Sequence, residues 1–331
     1  MSDKTGISWT DATWNPIRGC SRVSRGCEHC YAEVIAGRFG IPRRPDAYAR
    51  RLPYQGLVRS TVDGPRWTSK VRFVESALGL PLRWKKPRRI FVNSMSDLFH
   101  EKVPDEWIGQ IIDVMGSAPQ HTFQILTKRP ERMREFLTRN ARSGGQLVTP
   151  LSNAWWGVSV EDQATADARI PLLLQTPAAV RWVSYEPALS GVDFSAWIKS
   201  TVAMVSTSGA RASNEQTLEA ISELVKVVTR RLKQSVDWLV VGGESGSGAR
   251  PFDLAWARSA IGQCRAADVP CFVKQIGSNT IGSPDFEEYL RGESGADCLQ
   301  DRLQAIGIRV DRKGADPTEW PLDLRVQEFP R

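Results

Sequence analysis

The stretch IRGCSRVSRGCEHCY, residues 17–31, places Cys20, Cys27 and Cys30 within eleven residues and so holds three of the six cysteines in the 331-residue chain. The residues that follow, YAEVIAGRFG at 31–40, read as a helix closed by a C-cap glycine. Soft thiolates gathered in one loop suit an iron-sulfur cluster or zinc, and a helix N-terminus helps to keep them deprotonated. Three ligands is the informative number. A closed structural zinc site takes four, whereas a cluster on three cysteines leaves one iron free to bind something else. Spacing alone leaves open iron-sulfur, a zinc completed by His100, a disulfide and ordinary buried thiols.

Working outward, GISWTDATWNPI at 6–17 supplies a first strand that runs into the cysteine loop. Beyond residue 89 short apolar runs recur: IFVNSM (90–95), TFQILT (122–127), AWWGVSV (154–160), VRWVSYE (180–186), DWLVVGGE (237–244) and CFVKQI (271–276). Runs that are continuously apolar are strands covered on both faces. Between them Trp107, Ile108, Ile111, Ile112 and Met115 recur at helical spacing. Pro130 opens a turn before Met133 and Phe136, and Leu254, Ala257, Ile261 and Cys264 form a third stripe. Alternating strand and helix predicts an α/β fold with a parallel sheet, in one domain spanning 1–331. Three segments interrupt it: a basic insertion at 42–88, irregular by its prolines and glycines; a loop and amphipathic helix at 190–235; and a C-terminal extension at 278–331.

The net charge of +7 is unevenly spread. Residues 43–89 hold thirteen Lys and Arg against three Asp and Glu, a local excess of +10 that leaves the remainder of the chain acidic. Tyr48, Tyr54, Trp67, Phe73 and Trp84 are interleaved with these cations, a composition suited to DNA or RNA or to a solvated basic face. With no secretory leader and no apolar run long enough for a membrane span, a cytoplasmic protein is expected. Clustered cysteines there point to metal rather than disulfides.

In parallel α/β folds ligands bind beyond the carboxyl ends of the strands. The runs end in Asn93, Ser94, Ser96 and Asp97; in Thr127, Lys128 and Arg129; in Ser159, Glu161 and Asp162; in Ser184, Tyr185 and Glu186; in Gly242, Gly243, Glu244 and Ser245; and in Lys274 and Gln275. Some of these are helix caps. Glu186 and Glu244 stand out as paired-carboxylate candidates, with Lys128 and Lys274 as their partners or as anion ligands. Gly242 and Gly243 would let a ligand approach the backbone closely. His121 reads as structural, and Cys264, Cys271 and Cys298 as buried thiols.

Taken together, GCSRVSRGCEHCYAE, RRIFVNSMSDLFHEKVPDEW, ILTKRPERM, VSVEDQ, RWVSYEPAL, VVGGESG, FVKQIG and DRKGADPTEWPLDLRVQEFP resemble the phage-type three-cysteine-motif proteins, which look like an outlying branch of the radical S-adenosylmethionine (SAM) enzymes. The resemblance implies a partial (β/α) barrel of about six to seven strands. It also implies a 4Fe-4S cluster on Cys20, Cys27 and Cys30, and SAM on the fourth iron. It places His29 near adenine, and Asn93, Ser94, Ser96 and Asp97 at the methionine amine; Tyr31 is a further cofactor-binding candidate. Ser159, Glu161 and Glu186 fall at ribose and carboxylate. The implied activity is reductive cleavage of SAM to abstract hydrogen from a substrate, supplied with electrons by a flavodoxin or ferredoxin. The chain departs from the usual radical-SAM pattern in two respects: six residues separate its first two cysteines where three are usual, and its Gly-Gly-Glu lies on a late strand. The competing classes are a nucleic-acid-binding protein with a structural zinc and a barrel hydrolase using Glu186 and Glu244.

Overall fold

The structure is a computed structural model that describes residues 5–42, 52–142, 150–198, 235–281, 311 and 313–330. The chain has the α/β fold its alternation predicts, with seven strands that pair in parallel. These are β1 (Ala12–Trp14), β2 (Arg89–Val92), β3 (Thr122–Thr127), β4 (Ala154–Val160), β5 (Val180–Tyr185), β6 (Trp238–Gly242) and β7 (Cys271–Gln275). Two compact units make up the chain: Met1–Val160 with Thr176–Val180, and Glu161–Gln175 with Arg181–Arg331.

In the first unit β1 to β4 pair in chain order, and their register sorts the side chains into two faces. One row, Trp14, Val92, Ile125 and Trp156, is fully buried. Phe99 links it to Phe136 of helix α3 (Pro130–Arg142; helix α2 is Asp105–Gly116) through ring contacts with Trp156 and Phe136. Each such side chain contributes about 1.5–3 kcal/mol by leaving water, so this row is the core. The opposite row, Thr13, Phe91, Gln124 and Trp155, is of mixed polarity, and Thr13 and Trp155 are only partly covered.

Helix α1 (Tyr31–Gly40) follows the cysteine loop as its sequence predicts, but Gly40 is its last helical residue rather than a left-handed cap. Its role is steric. A Cβ on Gly40 would lie 2.6 Å from Val58, and one on Gly37 would lie 2.7 Å from Pro65. Both neighbours belong to an antiparallel hairpin, Val58–Thr61 with Gly64–Trp67, that seats Leu57, Val58 and Trp67 against Ala32 and Ala36. The basic insertion is therefore more regular than its prolines and glycines suggest, because burial against α1 compensates for weak strand propensity. Its cations are dispersed. Arg66 lies 3.7 Å from Glu33, Arg88 stacks over Trp84, and Arg89 pairs with Asp11 where β2 begins. Residues 43–51 lie outside the described residues.

In the second unit β5, β6 and β7 are parallel and almost wholly buried. Helix α4 (Gln163–Leu174) opens on a capping box in which Asp162 and Thr165 satisfy each other's amides. Helix α5 (Leu254–Ala267) buries the expected Leu254, Ala257, Ile261 and Cys264. Residues of the C-terminal extension run antiparallel along β7: Val273 donates to Val326, Glu328 donates to Cys271, and Phe329 packs on Trp238 and Phe272. The inserted loop and helix expected at 190–235 fall mostly outside the described residues, as does Cys298. No helix among the described residues is long and apolar enough to cross a membrane.

Candidate functional site

The cysteine loop is fastened to the carboxyl end of β2 by the motif after that strand. Asn15 Oδ1 accepts from the Met95 amide (3.0 Å) and the Ser94 hydroxyl (3.2 Å). Asn93 Oδ1 accepts from the Ile17 amide (3.3 Å), and Ser96 Oγ donates to the Ile17 carbonyl (2.9 Å). Gly19, at φ +94°, bridges to Ser96 with its α-carbon so close to the chain that a Cβ would lie 2.1 Å from the Lys70 carbonyl oxygen. Only glycine fits there.

Asp97 is the hub beneath this loop. Its carboxylate takes four donors: Thr127 Oγ1 (2.7 Å), the Phe99 amide (2.9 Å), the Lys128 amide (3.1 Å) and Arg129 Nη1 (3.0 Å). Arg129 thereby reaches the loop itself, with Nη2 donating to Ser21 Oγ at 2.7 Å. His100, fully buried, holds the same hydroxyl. Its Nδ1 accepts from the Lys102 amide, which leaves the proton on Nε2 facing Ser21 Oγ at 3.0 Å. Burial, with Arg129 beside it, depresses the His100 pKa to about 4, so the ring is neutral. Both of its nitrogens are engaged by protein, which removes His100 as the fourth ligand of a zinc site.

A second anchor fixes the middle of the loop. Arg22 Nη2 donates to Glu33 Oε2 (2.7 Å) and to the Glu28 carbonyl (2.8 Å). Glu33, 1% exposed on the first turn of α1, also accepts from the Trp67 amide of the hairpin at 2.9 Å. Tyr31 OH donates to the Ser94 carbonyl at 2.7 Å, and His29 is exposed.

All three cysteines are free thiols, not disulfides. Burial pushes Cys20 up to about 12; Asp97 adds to this and Arg129 opposes it. Burial likewise raises Cys30, against the pull of the Ala32 and Glu33 amides at the N-terminus of α1, and Cys20 and Cys30 each feel the charge of Cys27. Among the described residues no group of three or more His, Cys, Asp and Glu is arranged to hold a metal ion as it stands. The donor set still fits an iron-sulfur group: three thiols within one another's field, a helix N-terminus and an arginine that favour thiolate, and bound metal as the agent that displaces their protons. Buried polar atoms without a partner among the described residues include Asn93 Nδ2, whose Oδ1 holds the Ile17 amide, and Arg18 Nε at the start of the loop. Ser159 is buried on β4, and Lys128 is half-buried at the end of β3.

In the second unit each of the expected acids is engaged with a cation. Glu161 accepts from Arg169 Nη1 at 3.1 and 3.2 Å in a buried pair. Glu186 pairs with Lys274. Glu244 accepts from the Arg250 guanidinium and from its amide at 3.0 Å. The close approach that Gly242 and Gly243 permit is made by the protein itself: a Cβ would meet the Glu186 carboxyl carbon at 3.3 Å at Gly242, and the Ile276 carbonyl oxygen at 2.8 Å at Gly243. Arg22, Glu33, Arg169 and Arg250 had no place in the sequence reading. Of these only Glu33, one helical turn past Cys30, carried a positional signal.

No curated protein matches the sequence. Solved structures with a partly similar path include a spore photoproduct lyase complexed with dinucleoside spore photoproduct, at 13% identity and a TM-score of 0.32 over 68% of this chain. A variant of that lyase matches at 12% identity and a TM-score of 0.34 over 73% of this chain. A further variant, with bound AdoMet and dinucleoside spore photoproduct, matches at 13% identity and a TM-score of 0.33 over 70%. The chain spans 54%, 59% and 55% of those three proteins respectively. The family model described as "Protein of unknown function (DUF5131)" matches residues 4–314, and the chain belongs to that family.

Proposed function

We propose that this chain is a radical-SAM-type iron-sulfur enzyme that modifies or repairs nucleic acid in the cytoplasm. The observation that carries the reading is the three-cysteine loop, bound through Asn15, Asn93 and Ser96 to the carboxyl edge of a parallel sheet. Cys20, Cys27 and Cys30 would hold a 4Fe-4S cluster, with His29, Tyr31, Asn93, Ser94, Ser96 and Ser159 as the residues offered to SAM. The bound pair would supply one-electron cleavage of SAM, with a flavodoxin or ferredoxin as electron source.

The chain's own part is positional. Asp97 holds Arg129, and Arg129 with His100 fixes Ser21 beside Cys20. Glu33 holds Arg22 between Cys20 and Cys27, while the first amides of α1 favour thiolate at Cys30. Nucleic acid as substrate draws support from the net positive charge of 43–89. The hydrolase reading loses support because Glu186 and Glu244 are each paired with a cation rather than placed as a free acid and base.

Anaerobic purification followed by iron and sulfide analysis tests this, with visible spectra before and after SAM is added to the reduced protein. About four irons per chain, a spectrum perturbed by SAM and loss of both in Cys27→Ala are the expected results. A colourless protein holding zinc would replace the reading with a binding module.

A further inference from the structure

We propose that the Nδ2 amide of Asn93 donates a hydrogen bond to an acceptor atom of the group bound at the cysteine loop, which makes Asn93 a positioning residue on the anionic side of that group. The inference rests on the function proposed above and reverses the role that the resemblance gives this position, that of receiving an amine.

Asn93 is 3% exposed and takes φ +59°, a left-handed conformation that asparagine tolerates better than most residues. Its backbone amide donates to the Trp14 carbonyl at 2.8 Å, and its side-chain Oδ1 accepts from the Ile17 amide. These two bonds clamp it between the end of β1 and the start of the cysteine loop. They also settle which end of the amide is which, since only the oxygen can accept from Ile17. What is left is Nδ2, a buried donor with no partner. Leaving such a group unsatisfied is costly, and native proteins seldom do so without a ligand, water or function at the site.

A donor cannot serve an ammonium group, which is itself a donor only. Asp97, the other candidate for the amine in this motif, has its four acceptor positions filled by Thr127, Phe99, Lys128 and Arg129. The chemistry that fits Asn93 is a lone pair on a sulfide of the cluster or on the carboxylate of SAM. Hydrogen bonds to cluster sulfur raise its reduction potential.

Asn93→Asp is the decisive variant. It keeps the shape, the acceptor for Ile17 and the tolerance of positive φ, and replaces the donor with an anionic oxygen. Asn93→Gly, which suits the same backbone and removes the side chain, is the companion. Both are reconstituted anaerobically and read by iron content, by midpoint potential without SAM and by SAM equilibrium dialysis. If the acceptor is sulfide, Asn93→Asp becomes at least tenfold harder to reduce, about 59 mV for one electron, and Asn93→Gly moves the same way by less. If it is the carboxylate, the potential stays and SAM binds at least tenfold more weakly in both variants. Loaded variants that match the wild type in potential and in SAM affinity overturn the proposal. So does a folded variant that takes up no iron, which would confine Asn93 to holding the loop. A wild-type protein that takes up no iron is seen before any variant is made; it overturns the proposed function, and this inference with it.

Discussion

The carboxyl ends of the strands are furnished alike in the two units, with acids, arginines and lysines, yet the two sets do different work. In the first unit the acids are means. Asp97 and Glu33 are buried so that Arg129 and Arg22 point into the cysteine loop, whose three cysteines stay out of disulfides and next to which the Asn93 Nδ2 donor has no partner. In the second unit the acids are ends. Glu161, Glu186 and Glu244 each meet one cation, Arg169, Lys274 and Arg250, and the pairs hold the scaffold. The lesson is that a charged residue at a strand end identifies chemistry only after its bonds to the protein are accounted for.

That contrast can be broken most sharply by metal content. Cys27→Ala should lose essentially all iron from the reconstituted protein while Glu244→Gln retains it; iron lost from both would erase the distinction between the units. Next in size is the buried pair. Glu161→Ala strands Arg169 and should destabilise the fold by about 3–5 kcal/mol in urea titration, whereas replacing both partners by apolar residues should recover most of that loss.

The first unit's counterpart is pH. His100 is held neutral with its pKa lowered to about 4 from 6.5, so the unfolded chain binds the extra proton between those values. Stability is complete above pH 6.5 and falls as pH drops toward 4, by about 3 kcal/mol in total. A His100→Gln variant should show a flatter denaturation profile over that window. Smallest is Lys274→Ala, which removes one side of a half-buried pair and should cost about 1 kcal/mol or less, read as a small change in urea midpoint.

Much of the fold was legible because its strands are short, continuously apolar and bounded by polar residues. All six runs beyond residue 89 formed strands within three residues of their expected ends. Helix α4 went unread because Pro171 and Arg169 dilute its apolar stripe, although the Asp162 and Thr165 pair that starts it was visible. The hairpin at 58–67 was masked by Gly64 and Pro65, whose cost is met by packing on α1, a contact no local pattern announces. The cysteines could be picked out by spacing. Their supports could not, because Arg129 and Asp97 are joined across 32 positions and Arg22 and Glu33 across 11. What sequence type could not distinguish was which polar groups would already be bonded.

The C-terminal residues laid along β7 have a practical consequence. Their pairing covers a row of backbone donors and acceptors that would otherwise template the addition of a foreign strand. Proteolytic trimming that removes Val326 to Phe329 would expose Trp238 and Phe272 together with that edge, inviting self-association into sheet-like aggregates. Handling of the protein is therefore best judged by the integrity of residues 326–329.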